Sequence, residues 1–506
     1  MNIALISLYD MENYASRVLA AFLRRRGHRV VEVYFKHWTN NFMEWPKERE
    51  LAALEKILKK YSVGLVGVSV RASAYHKVAE HITKRVRSAT DAPVVWGGIH
   101  ATLVPEKCIE AADIVCIGEG EYAMAELAEA LSKGGDISPI KNLWVRTKKG
   151  VEKNDVRPLI QDLDTLPFRD FTSGDKFYIN GRTVAQGDPL VGETMCRIMI
   201  SRGCVYDCSF CYNSALKKIY SGKGRYYRYR SPGSVILEIN EIRGIFKKLK
   251  RIMFDDEVFV FDRDWTEEFL ERYKREAGLP FECFFGPKDV NDGYIGRLKS
   301  AGLDTVYMGV QNTERINRDL YRRPISDAEV TDAVNVLRKL GINARYQLVL
   351  DDPVSTSEDK QKLLDLVMSF PRPFELYLFS MTVFPATELA ERLVRDKVIE
   401  ENDVEGPCAA KTFRQYRVDL SYPRRKEDVF WISLIVLASK NFIPRSFIKM
   451  LSKNRFLMRH PRPLAVFAQA CNLMKMCLVV MGMAARGEIS AKLMKQWLNP
   501  RSLITQ

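Results

Sequence analysis

Three cysteines stand at C-x3-C-x2-C spacing in the run Ser201-Arg202-Gly203-Cys204-Val205-Tyr206-Asp207-Cys208-Ser209-Phe210-Cys211-Tyr212-Asn213. A four-iron, four-sulfur cluster is normally held by four cysteine thiolates, one per iron. Three thiolates leave one iron open to bind and activate another molecule, which is an enzyme's arrangement and not an electron carrier's. A zinc site usually pairs a second C-x2-C element or adds histidines. No such pair follows, and the six histidines (His28, His37, His76, His81, His100, His460) form no cluster in the sequence. The spacing therefore predicts a [4Fe-4S] cluster on Cys204, Cys208 and Cys211.

This run, with aromatic Phe210 before the third cysteine, resembles the signature of the radical S-adenosylmethionine (radical SAM) superfamily. The resemblance implies that the open iron chelates the amino and carboxylate groups of S-adenosylmethionine (SAM). The reduced cluster then cleaves the sulfonium, and a 5′-deoxyadenosyl radical takes hydrogen from the substrate. The protein's share of such chemistry is positioning and the exclusion of side reactions. An external one-electron reductant of the flavodoxin or ferredoxin type follows from the same resemblance.

The elements around the triplet predict where that chemistry sits. Residues 1–140 alternate apolar strands (Ile3–Leu8, Arg29–Val33, Gly64–Val70, Pro93–Trp96, Ile114–Ile117) with helices (Tyr14–Arg26, Glu48–Tyr61, His76–Arg87). Alternation of this kind makes a doubly wound parallel sheet with ligands at the carboxyl ends of the strands. No G-x-G-x-x-G fingerprint is present, so a dinucleotide is not expected. The stretches Val94-Val95-Trp96-Gly97-Gly98-Ile99-His100-Ala101-Thr102 and Ile117-Gly118-Glu119-Gly120-Glu121 resemble the cobalamin-binding domain of the B12-dependent radical SAM class. On that resemblance Gly97, Gly98, Gly118, Glu119 and Gly120 bind cobalamin. The chain departs from other cobalamin domains in lacking the D-x-H-x-x-G cobalt-ligand motif, where Tyr9-Asp10-Met11-Glu12-Asn13-Tyr14 stands. Cobalt's lower face is then left without histidine, and the loop Arg71-Ala72-Ser73-Ala74-Tyr75 could pack beneath it. Arg71 is either a cation under the metal or a surface residue.

Residues 141–190 read as a connector, with a strand at Asn142–Thr147 and a linker run Leu163-Asp164-Thr165-Leu166-Pro167-Phe168 that looks like that of the same class. Residues 191–395 carry six more strands (Arg197–Ser201, Arg251–Phe254, Phe281–Phe285, Thr305–Gly309, Ala344–Leu350, Glu375–Met381) with helices between them, including one at Trp265–Glu276. They predict a partial (β/α)6 barrel with its reaction site at the carboxyl ends of the strands. The triplet follows the first of these strands, where such a site belongs.

The second barrel strand ends in Asp255-Asp256-Glu257, which resembles the class's counterpart of the motif receiving the SAM amino group. An ammonium needs carboxylate or carbonyl acceptors, so Asp255 and Asp256 are the candidates. Gln311 at the end of the fourth strand stands where family members often carry charged or hydroxyl groups toward SAM. Tyr346 and Gln347 alternate faces, so one of them points into the barrel. Tyr377, Ser380 and Thr382 are candidates for a substrate wall. No Ser-His-Asp order, H-E-x-x-H or P-loop is present.

The chain has 506 residues and a formal charge of +15, unevenly placed. From Ser421 onward fifteen Lys/Arg face only Glu427, Asp428 and Glu488, so the main body is close to neutral and no nucleic-acid partner is expected. Residues 396–506 read as a basic helical region with apolar stretches at Phe430–Ala438 and Leu464–Ala485. Gln469, Asn472 and Lys475 interrupt the second, so a spanning helix is not expected. Cations at Arg445, Lys449, Lys453, Arg455, Arg459 and Arg462 suit either a helical cap with a solvated face or a peripheral contact with anionic lipid.

Ten cysteines in this length are no disulfide framework, and an oxygen-labile cluster wants a reducing cytosol, so a cytoplasmic location is expected. The other seven (Cys108, Cys116, Cys196, Cys283, Cys408, Cys471, Cys477) read as buried hydrophobes. Together the readings predict a cobalamin-dependent radical SAM methyltransferase acting on an unactivated carbon of a small or lipid-like substrate. The alternatives are a radical cyclase or rearrangement enzyme without methyl transfer, and a non-catalytic cobalamin or iron-sulfur sensor.

Overall fold

The computed structural model describes residues 1–37, 43–401, 404 and 425–485. Its first sheet has nine strands: β1 (Asn2–Leu8), β2 (Arg29–Phe35), β3 (Leu65–Ser69), β4 (Val94–Gly97), β5 (Ile114–Cys116), β6 (Leu143–Thr147), β7 (Gly150–Lys153), β8 (Lys176–Asn180) and β9 (Thr183–Gln186), in the order β7-β6-β5-β4-β3-β1-β2-β8-β9. The run from β5 to β8 is parallel and the outer strands are antiparallel. The apolar runs of β1 and β2 are buried on both faces, as a parallel sheet covered by helices on each side requires. Helices Glu48–Lys60 and His76–Ala89 cover one face and Tyr14–Arg25 and Glu121–Lys133 the other. The strand order reverses between β1 and β3, and an open α/β sheet offers its ligand crevice at such a reversal.

The stretch read as a connector contributes β6 and β7 to one edge of this sheet and β8 and β9 to the other. Local sequence marks a strand but not the neighbour it will pair with. Here the edges of the first sheet offered the free backbone groups.

The second sheet is β10 (Met195–Ile198), β13 (Arg251–Phe254), β14 (Phe281–Phe285), β15 (Leu303–Gln311), β16 (Asn343–Leu350) and β17 (Glu375–Ser380), six parallel strands in chain order that form a half-barrel. The strand expected at Arg197–Ser201 stops at Ile198. Ser201–Arg202 instead forms β11, paired antiparallel with β12 (Arg228–Tyr229). The cause is Asp256, which takes the backbone N–H groups of Ile200 and Ser201 away from the sheet. The helix expected at Trp265–Glu276 is α-helical over Arg263–Arg272 and continues as a π turn over Tyr273–Ala277. Behind the half-barrel lies a C-terminal layer. Helix Lys426–Ala438 is buried nearly all round between helices Ser357–Ser369 and Arg462–Ala485. Among the described residues no helix is long and apolar enough to cross a membrane.

Of the seven cysteines outside the triplet, Cys108, Cys116, Cys196, Cys283 and Cys471 are buried thiols and Cys477 is half-buried. Cys408 lies outside the described residues.

Glu238 anchors the half-barrel to the preceding segment. It is buried and accepts from Arg169 (3.1 Å) and Arg230. Removing one partner of a buried ion group strands the others without solvent. Glu238→Ala is therefore expected to cost about 3–5 kcal/mol, read as a lowered urea midpoint. A cost under about 1 kcal/mol would mean that water replaces the carboxylate.

Candidate active site

The cysteine loop leaves β11 through Gly203, whose φ is +89° and whose Cβ position lies 2.4 Å from the Tyr226 carbonyl oxygen. Only glycine fits there. Cys204 and Cys211 are half-buried and Cys208 is buried. Each sulfur has one N–H donor aimed at it: Tyr206 N to Cys204 Sγ (3.4 Å), Arg323 Nη1 to Cys208 Sγ (3.9 Å) and Asn213 Nδ2 to Cys211 Sγ (3.6 Å). Burial pushes the Cys204 thiol up to about 11 and that of Cys211 to about 12. Such thiols ionise readily only on a metal. Three sulfurs with one donor apiece form a set that fits an iron-sulfur cluster, whose thiolates are tuned by hydrogen bonds of this kind. Phe210 packs edge-on against Tyr321 (5.0 Å), and Ser209 ties the loop to the carbonyls of Leu320 and Tyr321.

The three acidic residues after β13 divide their tasks. Asp256 is buried and accepts from Ile200 N (3.0 Å), Ser201 N (2.5 Å) and Ser201 Oγ (2.6 Å). Its carboxylate is spent on backbone three residues before Cys204, so it positions the cluster loop and is not available to SAM. Burial pushes it up to about 7 against the pull of these donors. Asp255 is half-exposed and faces Arg197 Nη1 (3.3 Å). Glu257 lines the inter-domain cavity and accepts from Tyr212 Oη. Desolvation, and next the charge of Asp255, push its carboxyl up from the ordinary value. Glu257 is thus a free-facing acceptor beside the cysteines. Sequence reasoning passed over it for its two neighbours, although it stands in the same acidic run.

Gln311 sits at the carboxyl end of β15 with φ +64°, on a register shift between β15 and β16. A non-glycine residue at such φ is uncommon and marks a strained strand end. Tyr346 is buried against Phe370 and Phe374, so Gln347 is the residue of that pair facing the barrel interior. Tyr377 meets Tyr307 edge-on (5.4 Å) inside the half-barrel, and Ser380 donates to Asp351 (2.9 Å). The Thr382 hydroxyl is buried without a hydrogen-bond partner.

The glycines of the first domain and the residues that bracket the three cysteines of the second open onto one cavity of about 350 Å³. That lies within the range of about 300–1,000 Å³ usual for a small-molecule site. Leu5, Gly67, Val95 and Met124 wall an apolar slot between the first sheet and its helices. Gly97, Gly98, Gly118, Glu119 and Gly120 rim it, and Gly203, Tyr212, Asn213 and Glu257 face it from the other domain. An apolar slot under a glycine rim fits a large planar cofactor with a nucleotide tail, and these residues would hold cobalamin.

Two of the rim residues have a different immediate partner. Gly118 has φ +74°, and its Cβ position lies 1.6 Å from Tyr220 Oη, so the glycine makes room for a tyrosine of the cluster domain. The Glu119 carboxylate accepts from Arg202 and Arg228 (both 3.0 Å), and Arg202 also reaches Glu121 (2.5 Å). Burial opposes its charge, but the two guanidiniums outweigh burial and hold it below its ordinary value. Arg71 lies outside the cavity wall; its side chain is 61% exposed and pairs with Asp10 (2.7 Å) across the β1–β3 crevice.

The histidines scattered in sequence do meet in space. His76 Nδ1 lies 3.0 Å from His100 Nε2, with Glu80 on the far nitrogen of His76 (2.9 Å) and Ser73 on that of His100 (2.9 Å). Cys108 stands beside them. Every ring nitrogen in this relay has a partner, and burial pushes His100 down to about 3, which holds its ring neutral.

Fold and site define a two-domain enzyme class in which a cobalamin-type α/β domain closes over a three-cysteine half-barrel. Family models agree: residues 3–128 match the B12 binding domain and residues 198–367 the Radical SAM superfamily. An uncharacterised methyltransferase of Pyrococcus horikoshii is 26% identical over 361 residues, 68% of this chain and 72% of its own. The bacteriochlorophyllide d C-8(2)-methyltransferase of Chlorobaculum tepidum is 22% identical over 65% of this chain and 67% of its own. The hopanoid C-3 methylase of Methylococcus capsulatus is 27% identical over 54% of this chain and 49% of its own.

Among solved structures, the cobalamin-dependent radical SAM enzyme OxsB superposes with a TM-score of 0.65 at 15% identity, covering 99% of this chain and 83% of its own. The methyltransferase TsrM of Kitasatospora setae, with cobalamin and a [4Fe-4S] cluster bound, gives 0.59 at 20% identity over 78% and 75%. This chain belongs to the B12-binding radical SAM enzymes.

Outer-shell anchors of metal ligands typically carry 10–100-fold of metal affinity. Asp256→Ala is accordingly expected to retain iron against a chelator about tenfold less well after anaerobic reconstitution. Asp255→Ala should retain it normally. Equal retention in both variants would show that Asp256 does not position the loop.

Proposed function

We propose that this protein is a methyltransferase acting on an unactivated carbon of a small or lipid-like molecule in a reducing cytosol. The observation that carries the reading is the shared cavity: the glycine rim of one domain and the residues bracketing the other's cysteines, Gly203 and Tyr212, face the same space. A donor of methyl groups and a source of radicals held there would meet over one substrate. The relatives named for methyl transfer to bacteriochlorophyllide and to hopanoids support the reaction class, and the hopanoid methylase supports the substrate class.

When bound, the corrinoid supplies the methyl group, and the reduced cluster with SAM supplies the radical that removes hydrogen. The chain's own residues do the rest. Cys204, Cys208 and Cys211 would hold three irons. Glu257, with Asp255 behind it, would accept the SAM ammonium, and Gln311 can hydrogen-bond SAM without bringing charge. The half-barrel wall at Gln347 and Tyr377 is uncharged at these two residues, as an uncharged substrate needs. A one-electron reductant of the flavodoxin or ferredoxin type completes the set.

Cys204→Ala, Cys208→Ala and Cys211→Ala are each expected to abolish cleavage of SAM to 5′-deoxyadenosine. Full activity in any of them would refute the cluster assignment. Glu257→Gln, which removes a charge-assisted hydrogen bond, is expected to raise the KM for SAM about tenfold or more. Product mass separates methyl transfer from ring closure or rearrangement, because only transfer adds one methyl group per turnover.

A further inference from the structure

The C-terminal layer carries apolar surface that the fold does not use. Helix Arg462–Ala485 buries Leu464, Ala465, Ala468 and Cys471, which lie on its inner side. Its outer side exposes Val466, Phe467, Leu473, Met474, Leu478 and Met481, one stripe at helical spacing. The neighbouring helix Arg445–Ser452 buries Ile448 and exposes Phe447 and Met450. The Phe447 and Phe467 rings meet edge-on at 6.5 Å, so the two stripes form one patch. Phe456 (67% exposed) and Met450 (59%) stand out from it. Isolated exposed apolar residues are ordinary, but a contiguous patch of this kind marks an interaction surface.

Charge identifies the occupant. Between Val429 and Ala485 there is no Asp or Glu, against eight Lys/Arg. Two of the eight turn inward: Lys440 donates to Asn472 (2.5 Å), and Lys475 approaches Glu375 (4.0 Å). Arg445 donates to the Phe370 carbonyl (2.6 Å). Lys449, Lys453, Arg455, Arg459 and Arg462 are exposed and make no ion pair with any described residue. Unpaired cations beside aromatic and methionine side chains complement a surface whose outer layer is anionic and whose next layer is hydrocarbon. The layer begins beside the carboxyl end of β16, where Arg425 donates to the Asp352 carbonyl (2.9 Å), the same end of the half-barrel as the cysteine loop.

We infer that the outer face of helices Arg445–Ser452 and Arg462–Ala485 docks the enzyme on an anionic lipid bilayer. The contact gives the reaction proposed above a location and does not depend on it. The face lies on the bilayer and does not span it, with the aromatic and methionine side chains at the headgroup–acyl boundary and the five cations on headgroup phosphates.

Flotation of the full-length, anaerobically loaded protein with vesicles tests this. Binding is expected to vesicles of phosphatidylcholine and phosphatidylglycerol in equal parts and not to phosphatidylcholine alone, and it should weaken in high salt. A variant carrying Lys449→Gln, Lys453→Gln and Arg455→Gln is expected to bind roughly a hundredfold more weakly, at about fivefold per cation. Phe447→Ser with Phe467→Ser should also lose binding. SAM cleavage retained by both variants would show them folded. No binding to anionic vesicles, or binding indifferent to both variants, overturns the proposal. So does a dimer or an intramolecular cross-link that covers Phe467. Methyl transfer is read separately, so failure here leaves the reaction standing.

Discussion

Two guanidiniums and two carboxylates hold the domains at a fixed distance. Arg202 stands two residues before the first cysteine and reaches both Glu119 and Glu121; Arg228, on the strand paired with it, reaches Glu119 as well. All four lie largely out of water. Such a group contributes little net stability, because desolvation offsets most of the attraction. Its strength is geometric, since a buried charge tolerates very few alternative arrangements. Glu119 belongs to the glycine turn at the rim of one domain's slot, and Arg202 to the root of the other's cysteine loop. Their contact sets how far the loop stands from the slot. Tyr220 in the space left by Gly118 fixes the same distance by packing.

The cluster loop is held from three further sides. Asp256 grips its entry at Ile200 and Ser201, Ser209 holds its middle to the segment ending at Tyr321, and Cys211 opens helix Tyr212–Ile219. Carboxylates placed for different work therefore sit side by side in the sequence. The buried one organises backbone, Asp255 pairs with Arg197, and Glu257 faces the cleft, where it can meet a cation. Burial decides which is which, and neighbours in a linear motif give no sign of it.

Much of the architecture was legible because its signals are local. Doubly apolar runs such as Ile3–Leu8 announce covered parallel strands, and the cysteine triplet at the end of a strand announces the reacting end of a half-barrel. The glycine pairs after β4 and β5 mark the rim of the cavity. What escaped depends on contacts remote in the chain. Glu119 and Gly118 read as cofactor contacts, yet their nearest partners are Arg202, Arg228 and Tyr220, between 83 and 109 residues away for the three hydrogen bonds they share with Glu119. Ser201 read as strand until Asp256 drew it off the sheet. His76 and His100 looked solitary because a helix and a strand separate two rings that touch. Of the strands between 143 and 186 only the first, at Asn142–Thr147, was visible; β7, β8 and β9, and their place on both edges of the first sheet, were not. Phe467 and its neighbours read equally as a helical cap or a lipid contact, because periodicity shows an apolar face without showing whether anything covers it.

The central claim is that one cleft holds a corrinoid against a three-cysteine cluster. Its most direct test is the corrinoid content of protein purified anaerobically from cells supplied with cobalamin. The account predicts about one corrinoid per chain together with a filled iron-sulfur site. A filled iron-sulfur site with no corrinoid would contradict it, and methyl transfer would fall with it.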